Sequence, residues 1–232
     1  MKTTPQLLHR YLEDLSEIIH SHNLPDGTPV MRARAGKSTR SFFSKNISEY
    51  NKSIHVWDEF QHSSLEKIWV WSDQHINHNN IIKYTNRPFN NVIDMNETML
   101  KNAIDKVSDD DWLLFGGDVC IYYSDYIKEW IHNCPGRKLL ILGNHDKNII
   151  TKWREIGFEA CAPCFYHTLS KERSKKSILW THYPLSSDAI DNDFINIHGH
   201  IHEKTLDFPR INISVEQQNM SPINLNNILN KI

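Results

Sequence analysis

Leu139-Leu140-Ile141-Leu142-Gly143-Asn144-His145-Asp146 is the stretch whose reading decides the fold. An apolar run stops at a glycine, polar residues follow, and a helical pattern begins at Lys147. A short apolar run bounded by glycine reads as a buried strand. Polar groups just past the carboxyl end of such a strand sit where open α/β sheets bind ligands. Asn144 offers a neutral oxygen and His145 a titratable imidazole. Asp146 suits the cap of the helix behind them.

Four other segments are built the same way. Ile68-Trp69-Val70-Trp71 runs into Ser72-Asp73-Gln74-His75, and Asp111–Phe115 runs into Gly116-Gly117-Asp118. Ser177–Trp180 leads to Thr181-His182-Tyr183-Pro184, and Phe194–Ile197 leads to His198-Gly199-His200-Ile201-His202. Helices are expected near Asn79, over Val92–Val107, over Asp125–His132 and up to Glu155. Further strands are expected at Phe165–Leu169 and Ile211–Val215. Strands alternating with helices first, and mostly strands later, predict an α/β sandwich with two sheets inside.

The chain of 232 residues is long enough for one large domain or a domain with an appendage. A hydrophobic content of 39% supports a core, and the net charge of −2 advertises no global field for nucleic acid. Cys120, Cys134, Cys161 and Cys164 do not form a secreted disulfide framework. Cys161-x-x-Cys164 has no second pair and reads as structural thiols. No apolar run has membrane-spanning length, and the first residues lack a signal pattern. A cytoplasmic location is therefore expected, in the host's cytoplasm if the source is viral, with no membrane partner.

Residues 1–66 differ in grammar and are read as an N-terminal extension to a domain at 67–232. Leu7, Leu8, Tyr11, Leu12, Leu15, Ile18 and Ile19 recur at helical spacing, which predicts a helix over Pro5–His20. A basic run follows, with Arg32, Arg34, Lys37, Arg40 and Lys45 around Phe42 and Phe43. Its Arg34-Ala35-Gly36-Lys37-Ser38-Thr39 imitates a phosphate loop, but Met31 stands where that loop needs its first glycine, and no strand leads in. The run reads as a solvated face or loop, with a substrate-binding arm as the alternative.

The strand-terminal segments share one chemistry. In Asp73-x-His75 and His200-x-His202, alternate residues of an extended chain project to the same side, so each pair can grip one metal ion or two adjacent ones. Mixed oxygen and nitrogen ligands suit manganese first, with zinc, iron or nickel as alternatives. A carboxylate such as Asp118 can bridge two ions. Two-ion sites clamp both oxygens of an in-line phosphoryl displacement. Singly, Asp-x-His is a turn, Gly-Asp is weak, and His182 is a core histidine; together, each after an apolar strand, they point to a metal centre.

This order of motifs resembles the calcineurin-like metallophosphoesterases: Asp-x-His, Gly-Asp, Gly-Asn-His-Asp, His and Gly-His-x-His. The similarity covers about Lys67 to Ile232. Asn80-Ile81-Ile82 through Asn86-Arg87-Pro88-Phe89, and Ile213-Ser214-Val215 through Ser221-Pro222-Ile223, look like the small bacterial and phage branch. The resemblance implies a four-layer α/β/β/α sandwich and a cofactor of two divalent metal ions. It implies Asp73, His75 and His202 on one ion, Asn144, His182 and His200 on the other, and Asp118 bridging. A hydroxide between the ions would attack phosphorus, and His145 would protonate the leaving oxygen as general acid.

The chain departs from the phosphoprotein-phosphatase branch. Ile121 and Tyr122 replace that branch's second aspartate and its phosphate-binding arginine, which argues against a phosphoprotein substrate. Asp146 or Asp125 would have to supply the carboxylate that supports the acid histidine. His78 and Arg87 are candidate phosphate contacts; the competing readings are a surface histidine and a salt bridge that holds the loop. Tyr84, Phe89, Tyr122, Tyr123 and Tyr183, with Asn79 and Asn86, lie near the motif loops and suit stacking on a base. The expected activity is a metal-dependent phosphodiesterase on small or single-stranded nucleotide diesters, with no stable duplex DNA partner. The alternatives are a phosphomonoesterase on a small metabolite or nucleotide, and a non-catalytic binding protein on the same fold.

Overall fold

The computed structural model describes residues 53–146, 150–169, 177–186 and 194–231. The expected helix Pro5–His20 and the basic run Arg32–Lys45 lie outside these residues.

Parallel strands β1 (Ile68–Trp71), β2 (Trp112–Phe115), β3 (Arg137–Ile141) and β4 (Phe158–Ala162) build the first sheet, closed at one edge by antiparallel β9 (Ile223–Asn224). The strand order is β4-β3-β2-β1-β9. The second sheet holds β5 (Cys164–His167), β6 (Ser177–Thr181), β7 (Phe194–His198) and β8 (Arg210–Asn212), in that order. There β5 is antiparallel to β6 and the other pairs are parallel. The chain is therefore mixed α/β, with two sheets among the described residues, as the sequence predicts.

The strands of the first sheet read as continuous apolar runs because both faces are covered. Trp71, Leu113, Phe115, Leu140 and Phe158 face one way and pack under helices. Ile68, Val70, Leu114, Leu139 and Ile141 face the other way and meet Ile178, Trp180, Ile195 and Ile197 of the second sheet. The covering helices are α3 (Val92–Ile104), α4 (Asp125–Asn133) and α5 (Ile150–Glu155), and a short α2 (Ile81–Tyr84) precedes them. Helix α3 buries Met95, Met99 and Ala103 at a four-residue spacing. Its N-cap Asn91 accepts a hydrogen bond from the Asp94 N–H, and Ser124 caps α4 by accepting from Ile127.

Helix α1 (Ile54–Gln61) was not read from the sequence. Its Trp57 stacks on Phe165 at 4.6 Å, and Phe60 meets Trp112 edge-on at 5.8 Å. Both side chains are buried between the sheets, so part of the 1–66 stretch belongs to the core. Strand β4, strand β9 and helix α6 (Leu225–Leu229) were also not anticipated. The remaining expected elements lie within a few residues of their predicted ends.

The parallel strands β1, β2, β3, β6 and β7 all release their loops from their carboxyl ends. An isolated bridge between Ile76 and Cys120 ties the first two of these loops together. The strand-end residues singled out in the sequence thereby converge.

Candidate metal centre

The centre begins with backbone that the fold holds in a costly shape. Asp73, His75, Asp118, His200 and His202 all have positive φ, between 48° and 72°. Such conformations cost a non-glycine residue on the order of 1–3 kcal/mol and persist where surrounding structure over-determines them. Here they aim side chains of successive loops at one place. Two glycines make room for that approach. A Cβ at position 143 would overlap Asp118, and a Cβ at 199 would overlap Ser72 and Asp73.

Two groups of ligand-capable atoms result. Asp73, His75 and His202 form one and Asp118, His182 and His200 the other; within each, the atoms lie within 4.8 Å of one another. Asp118 Oδ2 stands 3.3 Å from His182 Nε2 and 3.8 Å from His75 Nε2, so its carboxylate faces both groups. Asn144 Oδ1 lies 3.1 Å from His182 Nε2 and joins the second group. His145 sits at the rim, with its side chain 27% exposed and Nε2 3.9 Å from Asp118 Oδ2. Its backbone N–H donates to Asp118 Oδ1 at 2.8 Å.

The protein orients these groups from behind. Asp73 accepts from the His200 N–H and from the Ser214 hydroxyl, both at 2.9 Å. His182 donates from Nδ1 to the Gly116 carbonyl at 2.9 Å, so Nε2 points at Asp118 and Asn144. His202 donates from Nδ1 to Glu216 at 3.0 Å. Fixing one ring nitrogen presents the other as a ligand.

The residues fit divalent ions on three counts. His75 is buried with both ring nitrogens unpartnered, and His200 Nε2 is buried and unpartnered as well. Burial pushes the pKa of both rings well below the ordinary histidine value, which leaves neutral imidazoles with free lone pairs. An unmade hydrogen bond at a buried polar atom costs about 1–3 kcal/mol, a loss that coordination removes. At His182 burial opposes the charged form, but the Asp118 carboxylate outweighs it and raises the pKa to about 10. The attraction between the His182 ring and the Asp118 carboxylate marks this as a place of strong negative potential, which suits a cation. The donor set of carboxylate, amide and imidazole suits borderline and hard divalent metals.

Two side chains are placed differently from the expectation. Asp146 reaches across to the β2 loop, and no hydrogen bond from it to His145 is seen among the described residues. It is buried, and it accepts from the backbone N–H groups of Asp118, Val119 and Gly143 at 2.7, 3.0 and 2.8 Å. Burial and the Asp118 charge push its carboxyl up while those donors pull it down. Tyr183 is buried against His200, with ring centroids 4.3 Å apart, so it offers no face to a ligand.

Arg87 turns inward. Its guanidinium donates to the carbonyls of Asp73 and Gln74 and, from Nε and Nη2, to Glu216. His78 stays near the centre, half-buried, with its ring 5.8 Å from that of His75 and 6.1 Å from that of Tyr84. Beside it a cleft of about 370 Å³ opens between the 76–80 and 121–124 loops, lined by Ile76, Asn77, His78, Asn80, Tyr122 and Ser124, among others. Tyr84 and Tyr122 are exposed at 69% and 83%, whereas Phe89 and Tyr123 are partly buried against the core.

Glu216 and Ser214 escaped the sequence reading. Each is an ordinary polar residue near a strand end, and only contacts spanning more than a hundred residues reveal their work. The four cysteines are free, buried thiols; burial raises Cys134 and Cys164 to about 12, so neither is poised as a nucleophile.

Comparison with known proteins agrees with this geometry. Residues 66–230 match the family described as calcineurin-like phosphoesterase. The chain is 37% identical over 179 residues to the uncharacterized protein MJ1445 of Methanocaldococcus jannaschii, covering 73% of this chain and 93% of the relative. It is also similar to the crystal structure of the protein of unknown function AQ665 from Aquifex aeolicus. That match has a TM-score of 0.56 at 26% identity and covers 71% of this chain and 98% of that one. The motif order, the paired ligand groups and the match over residues 66–230 lead to one conclusion: this chain belongs to the calcineurin-like phosphoesterase family.

Proposed function

We propose that this metal-dependent phosphoesterase is a phosphodiesterase acting on small or single-stranded nucleotide diesters, with manganese as its preferred ion. Asp73, His75 and His202 would hold the first ion, Asn144, His182 and His200 the second, and Asp118 would serve both. When bound, the ions supply Lewis acidity: they draw charge from the phosphoryl oxygens and make water a better nucleophile at neutral pH. His145, at the rim and anchored through its backbone to Asp118, gives a proton to the leaving oxygen. His78, between the centre and the cleft, contacts the phosphate or the ester group beyond it. Arg87 acts as a brace for the Asp73 loop rather than as a phosphate contact, because its donors are spent on Glu216 and two carbonyls.

The observation that carries the diester reading is the cleft. Its volume of about 370 Å³ falls within the range of ligand pockets, roughly 300–1,000 Å³. It adjoins the centre through His78, whose ring lies 5.8 Å from that of His75, and its wall combines a tyrosine face with asparagine amides. A small metabolite's phosphomonoester leaves this space unused, while a nucleoside fills it by stacking and amide hydrogen bonds; Tyr122, standing where the phosphoprotein-phosphatase branch has its phosphate-binding arginine, favours the diester over the nucleoside monoester. Duplex DNA does not suit the site, since duplex binding draws on rows of Lys and Arg and the chain carries a net charge of −2. No helix among the described residues is long and apolar enough to cross a membrane.

The test compares three substrates on manganese-reconstituted protein: p-nitrophenyl phosphate, bis-p-nitrophenyl phosphate and a dinucleotide. Both diesters should turn over faster than the monoester. Tyr122→Ala should raise KM for the dinucleotide about tenfold, the worth of one stacked base, and far less for bis-p-nitrophenyl phosphate. A preference for the monoester overturns the diester reading.

A further inference from the structure

The two ligand groups are supported from behind by different chemistry. Behind the second, His182 leans on the neutral carbonyl of Gly116, and Asp118 is fixed by the His145 N–H. Behind the first stands a buried ion pair between Arg87 and Glu216, with Nη2–Oε1 at 2.7 Å and both side chains at most 5% exposed. The same Glu216 oxygen accepts the Nδ1–H of His202 at 3.0 Å. The same guanidinium grips the carbonyls of Asp73 and Gln74 at 2.7 and 2.8 Å. One pair thus reaches His202 and Asp73 and holds the backbone leading to His75, which together make up the first group.

We infer that the Arg87–Glu216 pair is a positioning device that makes the two metal positions unequal, so that the Asp73–His75–His202 position binds its ion more tightly. This inference rests on the metal-centre reading above. Three physical effects act in the same direction. A carboxylate behind an imidazole raises the basicity of the nitrogen that faces the metal, and a neutral carbonyl does so less. The guanidinium locks Asp73 and its loop before an ion arrives, so less chain entropy is lost on binding. The pairing also lets Glu216 stay buried as a carboxylate, since an unpaired buried charge is strongly disfavoured.

The experiment titrates Mn²⁺ into the metal-stripped full chain, followed by calorimetry and by metal analysis after desalting. The wild type should fill in two steps of different affinity. Glu216→Gln keeps an acceptor for His202 but removes the charge, and should weaken the tight step about 10–100-fold while sparing the weak one. Two backgrounds identify the position. With Asn144→Ala, where the first position remains complete, Glu216→Gln should weaken the retained ion. With His75→Ala, where the first position is broken, it should change nothing. Arg87→Lys, which keeps the charge but cannot span Glu216 and both carbonyls, should give the same selective loss. The thermal midpoint of each stripped variant reports whether it is folded. Equal weakening in both backgrounds, an unchanged tight step, or a wild type that fills two equal positions overturns the inference. A wild type that binds no Mn²⁺ overturns the metal-centre reading instead.

Discussion

Asp118 shows how much one residue's surroundings decide. Its positive φ turns the carboxylate toward both ligand groups, and its own N–H is held by Asp146. The sequence made the strand-end residues legible because each follows a strong apolar strand, and residues released at the same sheet edge must converge. The reach of Asp146 across to the β2 loop was not legible, because Gly-Asn-His-Asp before a helix carries no sign of it. The hydrogen bonds from residues 118 and 119 that reveal it come from a part of the chain 27 to 28 positions away. For His145 the account expects a chemical rather than a structural role. His145→Ala should keep its metal content and its melting curve, yet lose roughly 10²–10⁴-fold in turnover of diesters with poor leaving groups. The loss should shrink for p-nitrophenolate, which leaves without a proton. Equal losses on both kinds of substrate, read from kcat, would make His145 a positioning residue.

At the scale of elements, the long amphipathic helices and the buried parallel strands were legible, and the short or borrowed elements were not. Helix α1 carries Val56, Trp57 and Phe60 at helical spacing, but it follows a stretch whose composition hides it. Strand β4 offers only Phe-Glu-Ala-Cys-Ala, whose small residues carry little strand preference; it forms because β3 supplies a parallel partner and both of its faces are covered. The family match begins at residue 66, while the core packing begins earlier, in α1. A prediction follows for truncation. Removing residues 1–52 leaves Trp57 and Phe60 in place, whereas removing 1–66 takes both from between the sheets. Phe or Trp truncated to Ala in a core costs about 3–5 kcal/mol, so the longer deletion should lower the melting temperature steeply or abolish folding. Thermal denaturation of the two truncated proteins checks this. Equal melting temperatures would mean that α1 is dispensable to the core.

At the scale of the molecule, the two sheets divide the work. Strands β1, β2 and β3 deliver Asp73, His75, Asp118, Asn144 and His145, and β6 and β7 deliver His182, His200 and His202. The centre therefore exists only when the sheets are packed against each other, and Asp118 stands where the two contributions meet. Sequence order foretold that meeting, but not the link behind it, because Arg87 and Glu216 lie 129 residues apart and neither has a motif of its own. The measurement that bears most directly on the whole is divalent metal per chain, determined together with phosphodiester turnover, in wild type and in Asp118→Asn. The account predicts two ions per wild-type chain and turnover that vanishes when they are stripped. It also predicts that Asp118→Asn loses both occupancy and activity while keeping its circular dichroism spectrum. Full turnover in the stripped protein, or in Asp118→Asn, would contradict it.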